Sequence, residues 1–230
     1  MDKNILIFHH SYLVNNWSEI IDDQLQLLKK SELYQHAEQI HFCCYSEINE
    51  NIIDFLNIVK EFDTDNKCTV VIEPYNDSEK LTLLYVQSIC KNSTEKNVLY
   101  FHTKGVTSYL RYGEECIKNI YSWRKAMEYF LLEKWKECTP LLNIHDVVSV
   151  FYGNWEHNIT KDVRQYFSGN FWWSKVSHIN KTPDMRNRDN WLDCESLITS
   201  IPHVWFCFYF AKNGISMYDQ YFDPNEYRTD

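Results

Sequence analysis

The stretch Asn97-Val98-Leu99-Tyr100-Phe101-His102-Thr103-Lys104-Gly105 decides the fold. Its first six residues are apolar and aromatic enough for a buried strand, and the run halts abruptly at Thr-Lys-Gly. In an open α/β sheet the groups just beyond a strand's carboxyl end are where ligands sit. Gly105 lets backbone approach a ligand closely, and Lys104 brings a cation to the same place, which suits a diphosphate. A lysine there can offset negative charge building on a pyrophosphate without help from a metal. The competing reading is an ordinary turn with a solvated lysine.

Toward the N-terminus, short apolar runs alternate with helical patterns, the signature of βαβ units and a mostly parallel sheet flanked by helices. Strands are expected at 4–10, 39–45 and 68–74, the last a β-branched run halted by Pro74. Helices are expected at 17–30, 49–62 and 79–91, where Ile20, Ile21, Gln24, Leu25 and Leu28, then Ile52, Ile53, Leu56 and Val59, recur at near-helical spacing. Toward the C-terminus the pattern is less regular. A long helix is expected at 116–137, strands at 147–152 and 204–210, and a short helix at 191–199, with a loop-rich, aromatic stretch between. With 230 residues, 5 Gly and 5 Pro, the chain reads as one domain spanning 1–230, divided into halves 1–112 and 113–230.

Composition narrows the function. A net charge of −9 with interspersed signs lacks the electrostatic footprint of a nucleic-acid binder. The apolar run Ile5-Leu6-Ile7-Phe8 is too short for a signal-peptide core, and no stretch approaches the roughly 20 apolar residues of a membrane span, so a cytosolic location is expected. The 8 cysteines include no Cys-x-x-Cys pair, which argues against a zinc framework and leaves most of them as reduced core residues. Aromatic residues reach 16%, and rings lining a concave surface could stack on a sugar or a nucleobase, although thick aromatic packing explains them equally well. Neither a P-loop nor a Gly-x-Gly-x-x-Gly fingerprint occurs, so nucleotidyl- or phosphotransfer of those kinds is disfavoured.

Four further constellations could carry chemistry. In Phe167-Ser168-Gly169-Asn170-Phe171-Trp172-Trp173, Gly169 could bring backbone to a substrate, Asn170 could bond a sugar hydroxyl, and one of the tryptophans could form a stacking wall; a buried strand with a bulge at Gly169 is the alternative. In Arg188-Asp189-Asn190-Trp191-Leu192-Asp193-Cys194-Glu195, Asp189 can cap a helix, while Asp193 and Glu195 point to different faces, so only one is a candidate general base. Asp63-Thr64-Asp65 has the form of an Asp-x-Asp site for a divalent ion but lies at a strand's amino end, away from the expected crevice. His9 and His10 end the first strand and face opposite ways, as packing or nucleotide-pocket residues.

Taken together, Leu99–Gly105, Trp123 with Met127, Asp146-Val147-Val148, Phe167–Trp173 and Cys194-Glu195-Ser196-Leu197-Ile198 resemble the small GT-A-type glycosyltransferases of bacterial polysaccharide clusters and large DNA viruses. The resemblance spans roughly residues 80–200. It implies a GT-A-like fold with a Rossmann-type nucleotide-sugar-binding half and an aromatic-rich acceptor half. It further implies transfer of a hexose or deoxyhexose from a nucleotide-diphosphate sugar, a UDP-sugar foremost, to a carbohydrate or glycoprotein acceptor. Donor-side residues would be His9, His10, His102, Thr103, Lys104 and Asp146; acceptor-side residues would be Ser168, Gly169, Asn170, Trp172 and Trp173. The acid that the resemblance assigns to catalysis matches Glu195, with Asp193 beside it and Leu197 where the pattern has a tryptophan. Glu195 would serve either as base in an inverting displacement or as stabiliser in a retaining one. His102-Thr103-Lys104 stands where many relatives have Asp-x-Asp, which leaves the need for manganese or magnesium open. The rival reading is a catalytically inactive relative that binds glycans or a protein.

Overall fold

The computed structural model describes residues 4–108, 112–156, 163–188, 191–210 and 216–228. The first half follows the alternation read above: β1 (Ile5–Tyr12), α1 (Trp17–Lys30), a single turn α2 (Leu33–His36), β2 (Ala37–Tyr45), α3 (Asn49–Phe62), β3 (Cys68–Ile72), α4 (Lys80–Lys91) and β4 (Asn97–His102). The second half runs α5 (Glu114–Glu128), a π-helical turn at Tyr129–Glu133, α6 (Trp135–Leu141), β5 (Val147–Ser149), β6 (Tyr152–Glu156), β7 (Val163–Phe167), β8 (Trp172–Lys175), α7 (Val176–Ile179), α8 (Trp191–Glu195), β9 (Trp205–Cys207) and α9 (Pro224–Tyr227).

Seven strands form one sheet in the order β3-β2-β1-β4-β8-β5-β9, with strands from both halves of the chain. All run parallel except β8, which is antiparallel to both β4 and β5. The expected mostly parallel α/β sheet flanked by helices is therefore the fold.

Alternation along β1 sorts the layers. Ile5 and Ile7 pack with α1, α3 and α5, whereas Leu6 and Phe8 pack with Leu83 and Val86 of α4. Strand β8 divides in the same way. Trp172 stacks on Tyr100 at 5.1 Å on the α4 face, and Trp173 joins the opposite cluster and donates its indole N–H to the Leu131 carbonyl at 2.8 Å. Each ring taken fully out of water contributes about 5 kcal/mol of transfer free energy, so this pair pins β8 into the sheet.

Three expectations are corrected. The helix expected at 116–137 is broken by the π-helical turn, where Lys134 donates to the Tyr129 carbonyl. The strand expected at 147–152 ends at Ser149, because Phe151 turns through a left-handed φ of 57° into the separate β6–β7 hairpin. The helix expected at 191–199 is α8 followed by a 3-10 turn at Leu197–Thr199, and the proposed cap Asp189 lies outside the described residues. Among the described residues no helix is long and apolar enough to cross a membrane.

Candidate active site

At the carboxyl ends of β1 and β4 the sheet opens into a cleft of about 470 Å³, bordered by His10, Tyr12, Glu79, His102, Lys104 and Tyr218 among others. Parallel neighbours end together here: His10 lies in register with His102, and the Thr103 N–H donates to the His10 carbonyl at 3.1 Å. A wider groove of about 640 Å³ lies on α1 and α5, where Lys125 pairs with Glu128 at 3.2 Å and Arg228 with Glu133 at 3.1 Å.

Glu79 is the centre of the cleft's polar network, a role that nothing in its local sequence marks beyond its place at the beginning of a helix. One of its oxygens, Oε2, accepts from the Tyr100 hydroxyl at 2.6 Å and from Asn170 Nδ2 at 2.7 Å. The other, Oε1, lies 4.0 Å from His102 Nε2. That nitrogen instead contacts the Gly169 carbonyl at 2.8 Å, as its donor. Burial above all, and then the Lys104 charge, holds His102 down to about 3, against the Gly169 carbonyl, so the ring is neutral.

Lys104 lies two residues beyond the end of β4 and lays its ammonium over the Trp123 ring, 4.0 Å from the centroid. Burial lowers its pKa, while the charges of Glu195 and Glu79 oppose that shift. Glu195, at the end of α8, is the reciprocal case: burial raises its carboxyl, Lys104 lowers it, and Glu79 raises it further. Tyr218 also feels the Glu195 charge. One buried cation thus feels two carboxylates, and burial holds the Glu195 carboxyl above its ordinary range.

Other expected site residues lie elsewhere. Trp172 and Trp173 are 1% and 0% exposed, so neither has a face left for an acceptor; this corrects the stacking wall. His9 faces the opposite layer from His10, with Nδ1 on Ser11 Oγ (2.6 Å) and Nε2 on Gln24 Oε1 (2.8 Å), and does not border the cleft. Asp146 sits at the amino end of β5, which runs parallel to β4, and is therefore at the far end of the sheet; it accepts from the Val204 N–H at 2.9 Å and pairs with Lys175. Thr103 borders the cleft but spends its hydroxyl on the Tyr12 backbone, at 3.0 Å from the amide nitrogen. Asp193 is buried and pairs with Arg188 at 3.6 Å. Ser168 and Gly169 form the turn leading into β8, with Gly169 at φ +92° and Asn170 at +52°.

The Asp63-Thr64-Asp65 segment folds on itself. Asp63 accepts from the Lys67 and Cys68 amides at 3.0 and 2.9 Å, and Asp65 pairs with Lys67 at 3.3 Å, all at the amino end of β3. Asp63 is a backbone cap and Asp65 an ion-pair partner, and Lys104 occupies the strand end where a diphosphate-bound ion would need ligands. The residues present do not fit such an ion. Among the described residues no group of three or more His, Cys, Asp or Glu is placed to hold a metal.

A domain family of unknown function, DUF8361, matches residues 6–190, the greater part of the chain. The chain belongs to the DUF8361 family. The matched span of this DUF8361 member contains β1 through β8 and the lysine strand end, and stops short of Glu195. No curated protein matches the chain. Among the solved structures similar to it are two that span most of the chain. One is a Bacillus anthracis chain assigned as a glucose-1-phosphate thymidylyltransferase, in complex with a sucrose, with 8% identity, a TM-score of 0.48, and 90% of this chain and 87% of that one covered. The other is 4-diphosphocytidyl-2C-methyl-D-erythritol synthase, with 8% identity, a TM-score of 0.44, and coverage of 98% and 95%.

Proposed function

We propose that the chain is a glycosyltransferase that moves a hexosyl or deoxyhexosyl group from a nucleotide-diphosphate sugar to a hydroxyl of a glycan or glycoprotein acceptor. The observation that carries this reading is Lys104, the only lysine or arginine bordering the cleft among the described residues, set at the end of a central strand with Glu195 and Glu79 acting on it. The diphosphate of the donor lies against the Lys104 ammonium. Glu195 takes the proton of the acceptor hydroxyl as the new oxygen–carbon bond forms at the anomeric carbon. The bond from that carbon to the diphosphate breaks, and its electron pair leaves on the nucleoside diphosphate, whose charge Lys104 offsets. Glu195 and then Glu79 oppose the loss of the Lys104 charge on burial. A UDP-sugar is the first donor to try.

Two carboxylates, Glu195 and Glu79, act on the single lysine bordering the cleft among the described residues, which favours a second reading, a module that binds glycan hydroxyls without transferring them.

A thermal-shift screen against UDP-, GDP-, dTDP- and CMP-sugars, with and without manganese, tests the first reading, because a ligand binding only the native state raises Tm by mass action. Stabilisation by one nucleotide family, reduced roughly 30-fold in affinity by Lys104→Ala, is the expected result. No shift with any nucleotide sugar, together with a shift by oligosaccharide alone, overturns transfer in favour of glycan binding.

A further inference from the structure

A buried carboxyl, a threonine and a histidine form a chain from the end of β3 to the cleft. Glu73 follows β3 and is 5% exposed; Thr82, in the first turn of α4, is fully buried. The Thr82 hydroxyl donates to Glu73 Oε1 at 2.7 Å and lies 2.7 Å from His10 Nδ1. A hydroxyl has one proton and spends it here on the carboxylate. The second contact therefore needs its proton from the histidine, so Nδ1–H donates to Thr82 Oγ1. Cys43 of β2 packs against the same hydroxyl, but burial keeps it a thiol, a far weaker acceptor than a carboxylate.

His10 has only one ring proton to place. Burial chiefly holds it down to about 4, with Glu79 opposing and His102 and His9 adding, so the ring is neutral around pH 7 to 8. With that proton on Nδ1, Nε2 keeps a bare lone pair. Nε2 has no partner among the described residues and is not among the fully buried orphan atoms, and His10 borders the cleft.

We propose that Glu73 and Thr82 are positioning residues that lock His10 in its Nδ1–H tautomer and so present Nε2 to the cleft as a hydrogen-bond acceptor. The ligand group opposite it is then a donor, a hydroxyl or an imide-type N–H. The relay also accounts for a feature that costs stability. Glu73 Oε2 is buried without a hydrogen-bond partner, 3.9 Å from His10 Nδ1; a half-satisfied buried carboxyl is destabilising, and a positioning role is a reason for it to be there despite that cost. Burial, opposed by Thr82 and reinforced by Asp77, raises Glu73 to about 7, so at pH 8 it is mostly ionised and acts as an acceptor.

The inference rests on the cleft being the ligand site, while the tautomer is independent of the reaction. The test is a two-bond proton–nitrogen correlation spectrum of the full chain labelled with nitrogen-15 histidine at pH 8, in which the two neutral tautomers give different patterns. The His10 signal is identified by its loss in His10→Asn. The expected result is Nδ1–H in the unmodified protein and in Thr82→Ser, which restores the hydroxyl, and a shift toward Nε2–H in Thr82→Val. An Nε2–H or doubly protonated His10 in the unmodified protein overturns the proposal even if the valine variant does not fold, as does Nδ1–H persisting in a folded Thr82→Val. Failure of every nucleotide sugar to bind would undo the glycosyl-transfer reading and leave this measurement standing, so the two failures are distinguishable.

Discussion

Asn170 Nδ2 donates to Glu79 Oε2 at 2.7 Å across 91 residues of sequence, joining the turn before β8 to the start of α4. The same side chain accepts from the Trp172 indole at 3.0 Å and is 1% exposed at a left-handed φ of 52°. Asn170→Ala leaves the indole and one lone pair of Glu79 unmet and costs about 3 kcal/mol. Asn170→Asp costs more, since it sets a second buried carboxylate against Glu79. Urea unfolding of both variants checks the order; an aspartate milder than the alanine contradicts the assigned bond.

Gly169 has two reasons to be glycine. Its φ is +92°, and a Cβ there would lie 2.5 Å from Met127 Sδ and 3.1 Å from Trp123 Cζ2. Gly169→Ala is expected to cost about 2 to 4 kcal/mol. The penalty should be smaller when measured against Met127→Ala than against the unmodified protein. An equal penalty in both backgrounds would assign the whole cost to backbone strain.

Acid should weaken the fold. Burial is the leading reason that His9, His10, His41 and His102 are held down to between about 3 and about 4, whereas unfolded histidine titrates near 6.5. Between those values the unfolded chain binds more protons, so stability falls as pH drops below about 6.5, by up to about 1.4 kcal/mol per pH unit for each histidine. Glu73 has the opposite sign: raised by burial to about 7, it favours the native state at low pH, a contribution lost as pH rises from about 4.5 through 7. Glu195, also raised by burial, shares that sign, but four histidines outweigh two carboxyls, and the guanidinium midpoint should be clearly lower at pH 5 than at pH 7.5. Equal midpoints would mean that the histidines are solvated.

Glu79→Gln tests the electrostatic coupling of the site. The amide oxygen can still accept from Tyr100 and Asn170, so stability should change by less than about 1 kcal/mol. After burial and the opposing Lys104, the Glu79 charge is the remaining cause that raises Glu195. Removing it lowers that pKa. A base works when ionised and fails as pH falls through its pKa, so the acidic limb of the turnover profile should move to lower pH. A limb that stays in place separates Glu195 from the step it reports.

The alternating half of the chain was legible because each element there carries its own period. Strands β1 to β4 fall within a few residues of their expected bounds, and the crevice rule pointed to Lys104 from nine residues of sequence. The second half was not, since Phe171-Trp172-Trp173 has no polar partner to reveal alternation when both faces of the strand are buried. A tryptophan in such a run fits a wall for an acceptor as readily as a buried strand. Glu79 escaped notice because an acid at a helix start is ordinary, and nothing local records that Tyr100 and Asn170 converge on it.

The antiparallel β8 makes completion of the sheet a late event. As the chain leaves the ribosome, the four parallel strands through β4 can pair by residue 102, yet the open side of β4 finds its partner only when Trp172–Lys175 arrives some seventy residues later. Until then Leu99 and Tyr100 present an unpaired apolar strand edge, the kind of template on which nascent chains stick to one another. A pause in translation between those points is thus the moment of greatest exposure, and chaperone demand should peak there.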